Sequence, residues 1–251
     1  MIFMETNNED PKWILEPQLN CLEQESEIDH LNFLYQKGKF YVMDNHLAAG
    51  WCWLHTLDKQ KKYGFIHIDQ HDDFLNDINM GPFKNDLLVD EIELSVYTDL
   101  HTPERKVFRW DNYILQIQQI LPKWFSHVCV STHRTHRIPE LEIHSCPSVI
   151  DLPLCMKSFI SRTDLDYILN LDIDFFFNEN GVRILTDDYI RILAMGIKHL
   201  LPNIAVVTIA LSPECCERDS DGWKNAIEAM SILDNELSIG FVEEFKSKIQ
   251  L

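Results

Sequence analysis

Apolar and polar positions change period repeatedly along this chain. KGKFYVMDNH (37–46) is apolar in its middle and polar at its end, which predicts a strand from about Lys39, and GWCWLHTLDKQKK (50–62) then predicts a helix. GFIHIDQH (64–71) predicts a second strand. WDNYILQIQQILPKWF (110–125) predicts an amphipathic helix with Tyr113, Ile117 and Ile120 on one face, and SHVCVSTH (126–133) a third strand. DLDYILNLDIDFFF (164–177) holds another strand. TDDYIRILAMGIKHLL (186–201) opens with Thr186 before two aspartates, a helix start in which the hydroxyl caps a backbone N–H and the acids meet the positive end of the dipole. NIAVVTIALSP (203–213) is a continuous apolar run of the kind buried on both faces of a parallel sheet, and DGWKNAIEAMSIL (221–233) predicts a further helix. This alternation implies a central, mainly parallel sheet with helices on both sides, a three-layer α/β/α domain. No internal repeat, low-complexity tract or Gly/Ser linker divides the chain, so residues 1–251 are expected to form a single domain.

Composition narrows the picture. The length of 251 residues suits one large α/β domain, and 45% hydrophobic with 11% aromatic residues argues for a packed core. Lys plus Arg is 22 and Asp plus Glu is 40, a net charge of −18, which argues against a nucleic-acid partner and is compatible with a cationic one drawn in over long range. The opening MIFMETNNEDPKW has neither a basic n-region nor a long apolar h-region, and no apolar run is long enough to span a bilayer, so neither a signal peptide nor a membrane helix is expected. Seven Cys with no CxxC pair indicate neither a disulfide framework nor a zinc ribbon. Adjacent Cys215 and Cys216 read as packing residues, and a reducing cytoplasm is the expected compartment.

In parallel sheets, function gathers beyond the carboxyl ends of the strands. FYVMDNH ends in Asp44 and His46, ILNLDIDFF carries Asp172 and Asp174, and VVTIALSPE ends near Glu214. In GFIHIDQHDDF, His67, Asp69, His71 and Asp73 fall at every second position and would share one face of an extended strand; Asp72, of opposite parity, reads as surface. Buried unpaired carboxylates cost several kcal/mol each or take up protons, and cations placed among them relieve that cost. The candidate ligands are His46, Asp69, His71, Asp73, Asp172 and Asp174, with His67 in support. Either Asp44 or His46 could face a metal, and His46 is the preferred reading. This set exceeds one tetrahedral zinc and suits two divalent ions roughly 3.5–4 Å apart. Mostly hard oxygen ligands favour Mn²⁺, with Zn²⁺, Co²⁺ and Ni²⁺ still open.

DQHDD (69–73) looks like the D-A-H-x-D signature of the arginase and agmatinase superfamily, the ureohydrolases. LDIDF (171–175) resembles that superfamily's F-D-x-D motif, and DNH (44–46) sits where the family has G-G-D-H, although here Asn45 separates Asp from His. The resemblance covers about residues 39–217. It implies an arginase/deacetylase-like fold and a dinuclear manganese centre held by His46, Asp69, His71, Asp73, Asp172 and Asp174. HIDQHDD with NLDIDFF in a short chain is most similar to the peptide arginases of ribosomal-peptide gene clusters, which convert arginine residues of a precursor peptide to ornithine. The implied reaction is hydrolysis of the guanidinium to ornithine and urea by a metal-activated bridging hydroxide, with Asp73 relaying a proton to the departing amine.

The departures matter as much. The family grips the guanidinium with a late Glu, because a carboxylate accepts two parallel hydrogen bonds from the planar fork. A strict alignment puts Ala210 at that position; Glu214 serves if its loop turns back toward the metals, and otherwise it is a solvent-facing loop acid. Free-arginine enzymes carry an Asn for the substrate's α-carboxylate where this chain has Leu75, with Asn76 one further, and the D-P after the second aspartate pair is replaced by FFNENG. The first loss fits an arginine inside a peptide, which has no free carboxylate. His101, His133 and His136 are candidate proton shuttles, or simply surface histidines. Two other functions compete. One is a deacetylase of the same architecture, using one Zn²⁺, a His pair and a Tyr. The other is a catalytically silent peptide-binding module that keeps metals for structure.

Overall fold

The chain's apolar runs have no face to spare for water, and they assemble into one sheet. In the computed structural model, which describes residues 10–23, 26–133, 141–160, 164–217 and 221–250, the strands are β1 (Lys12–Leu15), β2 (Leu34–Lys37), β3 (Phe40–Met43), β4 (Tyr63–Ile68), β5 (Phe125–Ser131), β6 (Ile143–Ser145), β7 (Asp166–Asp172) and β8 (Ile204–Ala210). Their order across the sheet is β1-β2-β3-β8-β7-β4-β5-β6. From β3 to β6 all neighbours are parallel, while β2 pairs antiparallel with both β3 and β1. The β2–β3 hairpin turns at Gly38, whose φ of 55° suits a residue without a side chain.

The helices are α1 (Ala49–Thr56), α2 (Lys84–Leu87), α3 (Leu94–Thr98), α4 (Tyr113–Ile120), α5 (Leu152–Phe159), α6 (Asp187–Leu200), α7 (Gly222–Leu237) and α8 (Phe241–Ile249). Alternation along the central strands divides the core in two. Ile66, Ile68, Leu169, Leu171, Val207 and Ile209 pack with the buried faces of α5 to α8. Phe65, Ile168, Val206 and Ala210 pack on the opposite side, with α1 and α4. The result is the three-layer α/β/α arrangement. Thr186 caps α6 as its sequence implies, its hydroxyl accepting the Tyr189 N–H at 3.2 Å. The helix expected over 50–62 is shorter, because Leu57 leaves α1 in an extended conformation.

Topology then sets the site. The chain lays down β4, β5 and β6 toward one edge, returns, and inserts β7 and β8 between β4 and β3. The carboxyl ends of β3, β8, β7 and β4 therefore lie side by side, at the switch point where α/β sheets bind ligands. Among the described residues, no helix is long and apolar enough to cross a membrane, and all seven cysteines are free thiols.

Candidate metal centre

β4 ends at Ile68, so Asp69, His71 and Asp73 lie in the loop beyond it and not on one face of a strand. The loop is shaped by its own side chains. Asp69 Oδ1 accepts the His71 N–H at 2.6 Å, and in the second motif Asp172 Oδ1 accepts the Asp174 N–H at 2.9 Å. Both are local turns in which an aspartate caps a backbone group two residues on. Asp174 Oδ1 in turn accepts the Gln70 N–H at 3.1 Å, tying the two motifs together. One oxygen of each carboxylate is thus fixed by backbone, and the other turns inward.

Those inward oxygens meet the imidazoles. His46 Nδ1 lies 3.4 Å from Asp69 Oδ2, 3.3 Å from Asp73 Oδ2 and 3.3 Å from Asp172 Oδ2. His71 Nδ1 lies 2.9 Å from Asp174 Oδ2 and 3.8 Å from Asp69 Oδ1, which sets Asp69 between the two histidines. The ambiguity at DNH is resolved by hydrogen bonding. Asp44 is fully buried and faces the other way, accepting from Ser26 Oγ (3.0 Å), the Asn32 N–H (2.9 Å) and Asn32 Nδ2 (2.9 Å). Asn45 Oδ1 caps the Leu47 N–H at 3.0 Å and so starts the tight turn that swings His46 into the site.

His67 lies below the centre. Its Nδ1 is 3.0 Å from Asn170 Nδ2, and Asn170 is itself held by Tyr113 and by the Thr208 hydroxyl at 2.7 Å. His67, Asn170 and Thr208 form one row across β4, β7 and β8. With Nδ1 accepting from the amide, the ring proton sits on Nε2, which faces Asp69 Oδ2 at 3.8 Å. Burial, reinforced by nearby His46, pushes the His67 pKa down to about 3.

The electrostatics of the bare centre are unfavourable. Burial pushes the Asp172 carboxyl up to about 8, with Asp174 adding to the shift, and it lifts Asp69 well above the usual range, where Asp73, Asp174 and Asp172 contribute further. Burial also raises Asp73. The hydrogen bond to Asp174 brings His71 up to about 9. For His46, burial opposes protonation, but Asp73, Asp172 and Asp174 together outweigh it and raise its pKa. Asp69 Oδ2 and His46 Nε2 are buried and make no hydrogen bond among the described residues. A cation among the carboxylates would relieve their charge and give Asp69 Oδ2 a partner, with His46 Nδ1 facing the same space. His46, Asp69 and Asp172 could hold a metal ion, each offering an atom within 4.8 Å of the others, and a second such group joins His71, Asp174 and Cys215. The spacing fits, since a tetrahedral ion about 2.0–2.1 Å from its ligands sets them roughly 3.3–3.4 Å apart.

Beside these groups is a cavity of about 520 Å³, with His46, His71, Asp73, Asp172 and Asp174 among its lining residues. Glu214 lines it too, and the loop that brings it there is tightly held. Ser212 takes a left-handed conformation (φ 41°, ψ 57°), its N–H donating to Asp44 O at 2.8 Å and its hydroxyl to Asp172 Oδ2 at 2.6 Å. A Cβ on Gly222 would come within 2.1 Å of Pro213 O, and one on Gly181 within 2.0 Å of Glu217 O, so two glycines press the loop from either side. Burial, then Asp172, pushes the Glu214 carboxyl up to about 9, and its Oε2 has no hydrogen-bond partner among the described residues. Glu214 is therefore no solvent-facing loop acid. Ala210, by contrast, is buried in the core beside α1.

Some expectations fall elsewhere. Asp72 lines the cavity and is not simply surface. Cys215 joins the second ligand group, whereas Cys216 packs in the core with its thiol on Leu211 O. Leu75 lines the cavity, as do Trp110 and Asp111, which carried no motif; Asn76 is exposed and accepts from Gln119. His101 is exposed, its Nδ1 near Asp99 O, and does not line the cavity. His133 Nε2 is taken up by Phe175 O at 2.9 Å, and His136 lies outside the described residues. In comparisons with known proteins, no family model matches the chain and no curated protein matches it.

Proposed function

We propose that the protein hydrolyses the guanidinium of arginine residues within a peptide, giving ornithine and urea, with two Mn²⁺ ions in the centre. The observation that carries this reading is Glu214, half-buried in the cavity wall beside two His/Asp groups, with its buried Oε2 unpartnered among the described residues. The residues fit the cations they would hold: His46, Asp69, Asp73 and Asp172 in one group, His71 and Asp174 in the other, with Asp69 between them. Divalent cations bound there would neutralise the carboxylates and acidify a water at the cavity floor. Glu214, in its ionised form, accepts two N–H groups of the planar fork and orients the guanidinium carbon over the centre. Water adds to that carbon, the bond to the side-chain nitrogen breaks, and that nitrogen leaves as an amine that must gain a proton. Asp73, which lines the cavity, would carry it.

A substrate inside a peptide is favoured by what the cavity lacks. Among the described residues, no Lys or Arg lines it, so the carboxylate of free arginine would find no lysine or arginine to pair with and five aspartates and a glutamate around it. A deacetylase is disfavoured because, among the described residues, no Tyr lines the cavity and the lining histidines, His46 and His71, face carboxylates. The test is incubation of the Mn²⁺-loaded protein with arginine-containing peptides, scoring urea colorimetrically and ornithine by mass spectrometry. Urea with matching ornithine is expected. Stoichiometric metal with no urea from any peptide would refute the reading and leave the binding module; acetate released from acyl-lysine peptides would point to the deacetylase.

A further inference from the structure

A second cavity of about 610 Å³ lies behind the wall formed by His71, Glu214 and Cys215, which it shares with the first. Its other lining residues include Gln70, Glu179 and Glu217, and among the described residues no Lys or Arg lines it. Two carboxylates at an opening would by themselves say little, since exposed acids are common. The independent observation is Gln70. It is 2% exposed, lies in the tightly bonded Asp69–His71 turn, lines this cavity, and its side-chain Oε1 has no hydrogen-bond partner among the described residues. A buried amide oxygen without a donor costs roughly 1–3 kcal/mol. The chain thus offers an unsatisfied acceptor and three carboxylates, Glu179, Glu214 and Glu217, around one space, and the ligand that complements them is a hydrogen-bond donor carrying positive charge.

We infer that this second cavity is a subsite for a cationic side chain, ammonium or guanidinium, on a residue close to the one held at the metal centre. The inference rests on the peptide reading above. It makes the protein selective for basic clusters: one cation enters over the metal centre, the next is received by Gln70, Glu179 and Glu217, and Glu214 stands between them. Gly181 and Gly222 let the backbone pack closely against Glu217 and Pro213, on the segment that carries that wall.

The test is equilibrium binding, which needs no turnover. Fluorescein-labelled peptides with one arginine in a Gly/Ala background are compared, by anisotropy on the Mn²⁺-loaded protein, with peptides carrying a second residue one or two positions away. That residue is Arg in one arm, Lys in another and norleucine in a third. The second cation is expected to tighten binding about tenfold over norleucine, the worth of one charge-assisted hydrogen bond. In the doubly substituted Glu179→Gln, Glu217→Gln protein that advantage disappears while the single-arginine peptide binds as before. Both glutamates are exposed, so the fold tolerates the change. The Arg and Lys arms show which cation is preferred. An advantage that persists in the double variant, or none in the wild type, overturns the subsite. Failure of the hydrolase reading would look different, with the binding pattern intact and no urea formed.

Discussion

Loading the metal-free protein with Mn²⁺ should expel protons, and the structure sets how many. Asp172 titrates at about 8 because it is buried beside Asp174, and His71 at about 9 because Asp174 holds its imidazolium. At pH 7 a group titrating at 8 is roughly nine-tenths protonated and one titrating at 9 roughly 99% protonated. Asp69, Asp73 and His46 are raised too, which adds to the count in the same direction. A metal accepts only carboxylate and neutral imidazole, so every one of these protons must leave. The expected release is at least about two protons per loaded protein at pH 7. Had the carboxylates and both histidines kept ordinary values, the figure would be only about half a proton. Isothermal titration in buffers of different ionisation enthalpy reads the number directly as a slope. Apparent Mn²⁺ affinity should also rise with pH, by at least about two decades per unit below pH 7. A release of half a proton or less would refute the reasoning, because the carboxylates would then already be ionised in the apo centre.

Other consequences are separable from this one. The same shifts govern stability: groups whose folded pKa is raised favour the fold at low pH and lose that contribution as pH rises. Metal-free protein should therefore melt at progressively lower temperature between pH 6.5 and 9, through Asp172 and His71, and saturating Mn²⁺ should abolish the trend; a flat apo profile would contradict it. Asp69→Asn should lose metal, measured by elemental analysis, yet stay folded, whereas Asp44→Ala strands the donors of Ser26, Asn32 and Asn45 and should cost at least about 3 kcal/mol in urea unfolding. Equal effects of the two would void the separation of their roles. Gly181→Ala, at φ 66° and against Glu217 O, should destabilise by about 1–3 kcal/mol and displace Glu214, weakening peptide affinity while metal content holds. Unchanged affinity would mean that the loop does not position Glu214.

The layers and the central strands were legible because β4, β7 and β8 are apolar on both faces, and only a sheet sandwiched by helices makes use of that. β1, β2 and β6 were not. β1 and β6 are the edge strands and β2 lies just inside one, each with partly exposed positions, where mixed polarity is tolerated and leaves no periodic trace. The hairpin did leave a signal in Lys37-Gly38-Lys39 between two short apolar runs, a turn that needs φ > 0.

At the site, the sequence singled out the residues that converge, but what brings them together is not the strand alternation it suggested. Asp69, His71 and Asp73 fall at every second position, yet β4 stops at Ile68 and Asp73 takes φ 52°, so strand pleat does not align them. The spacing of two is that of an aspartate capping the backbone two residues on, and Asp172 and Asp174 repeat it. This explains why D-x-H and D-x-D are built alike on different strands: the turn occupies one carboxylate oxygen and leaves Oδ2 aimed at His46. It also explains why Cys215 and Gln70 carried no signal. Neither is a ligand type at a recognisable spacing. Cys215 reaches the centre only because Ser212 takes a left-handed turn and Gly222 admits Pro213 close to the helix start, and Gln70 is buried only because Asp174 holds its backbone N–H. Such positions depend on contacts made by residues far apart in the chain, so they are the ones a linear pattern does not reveal.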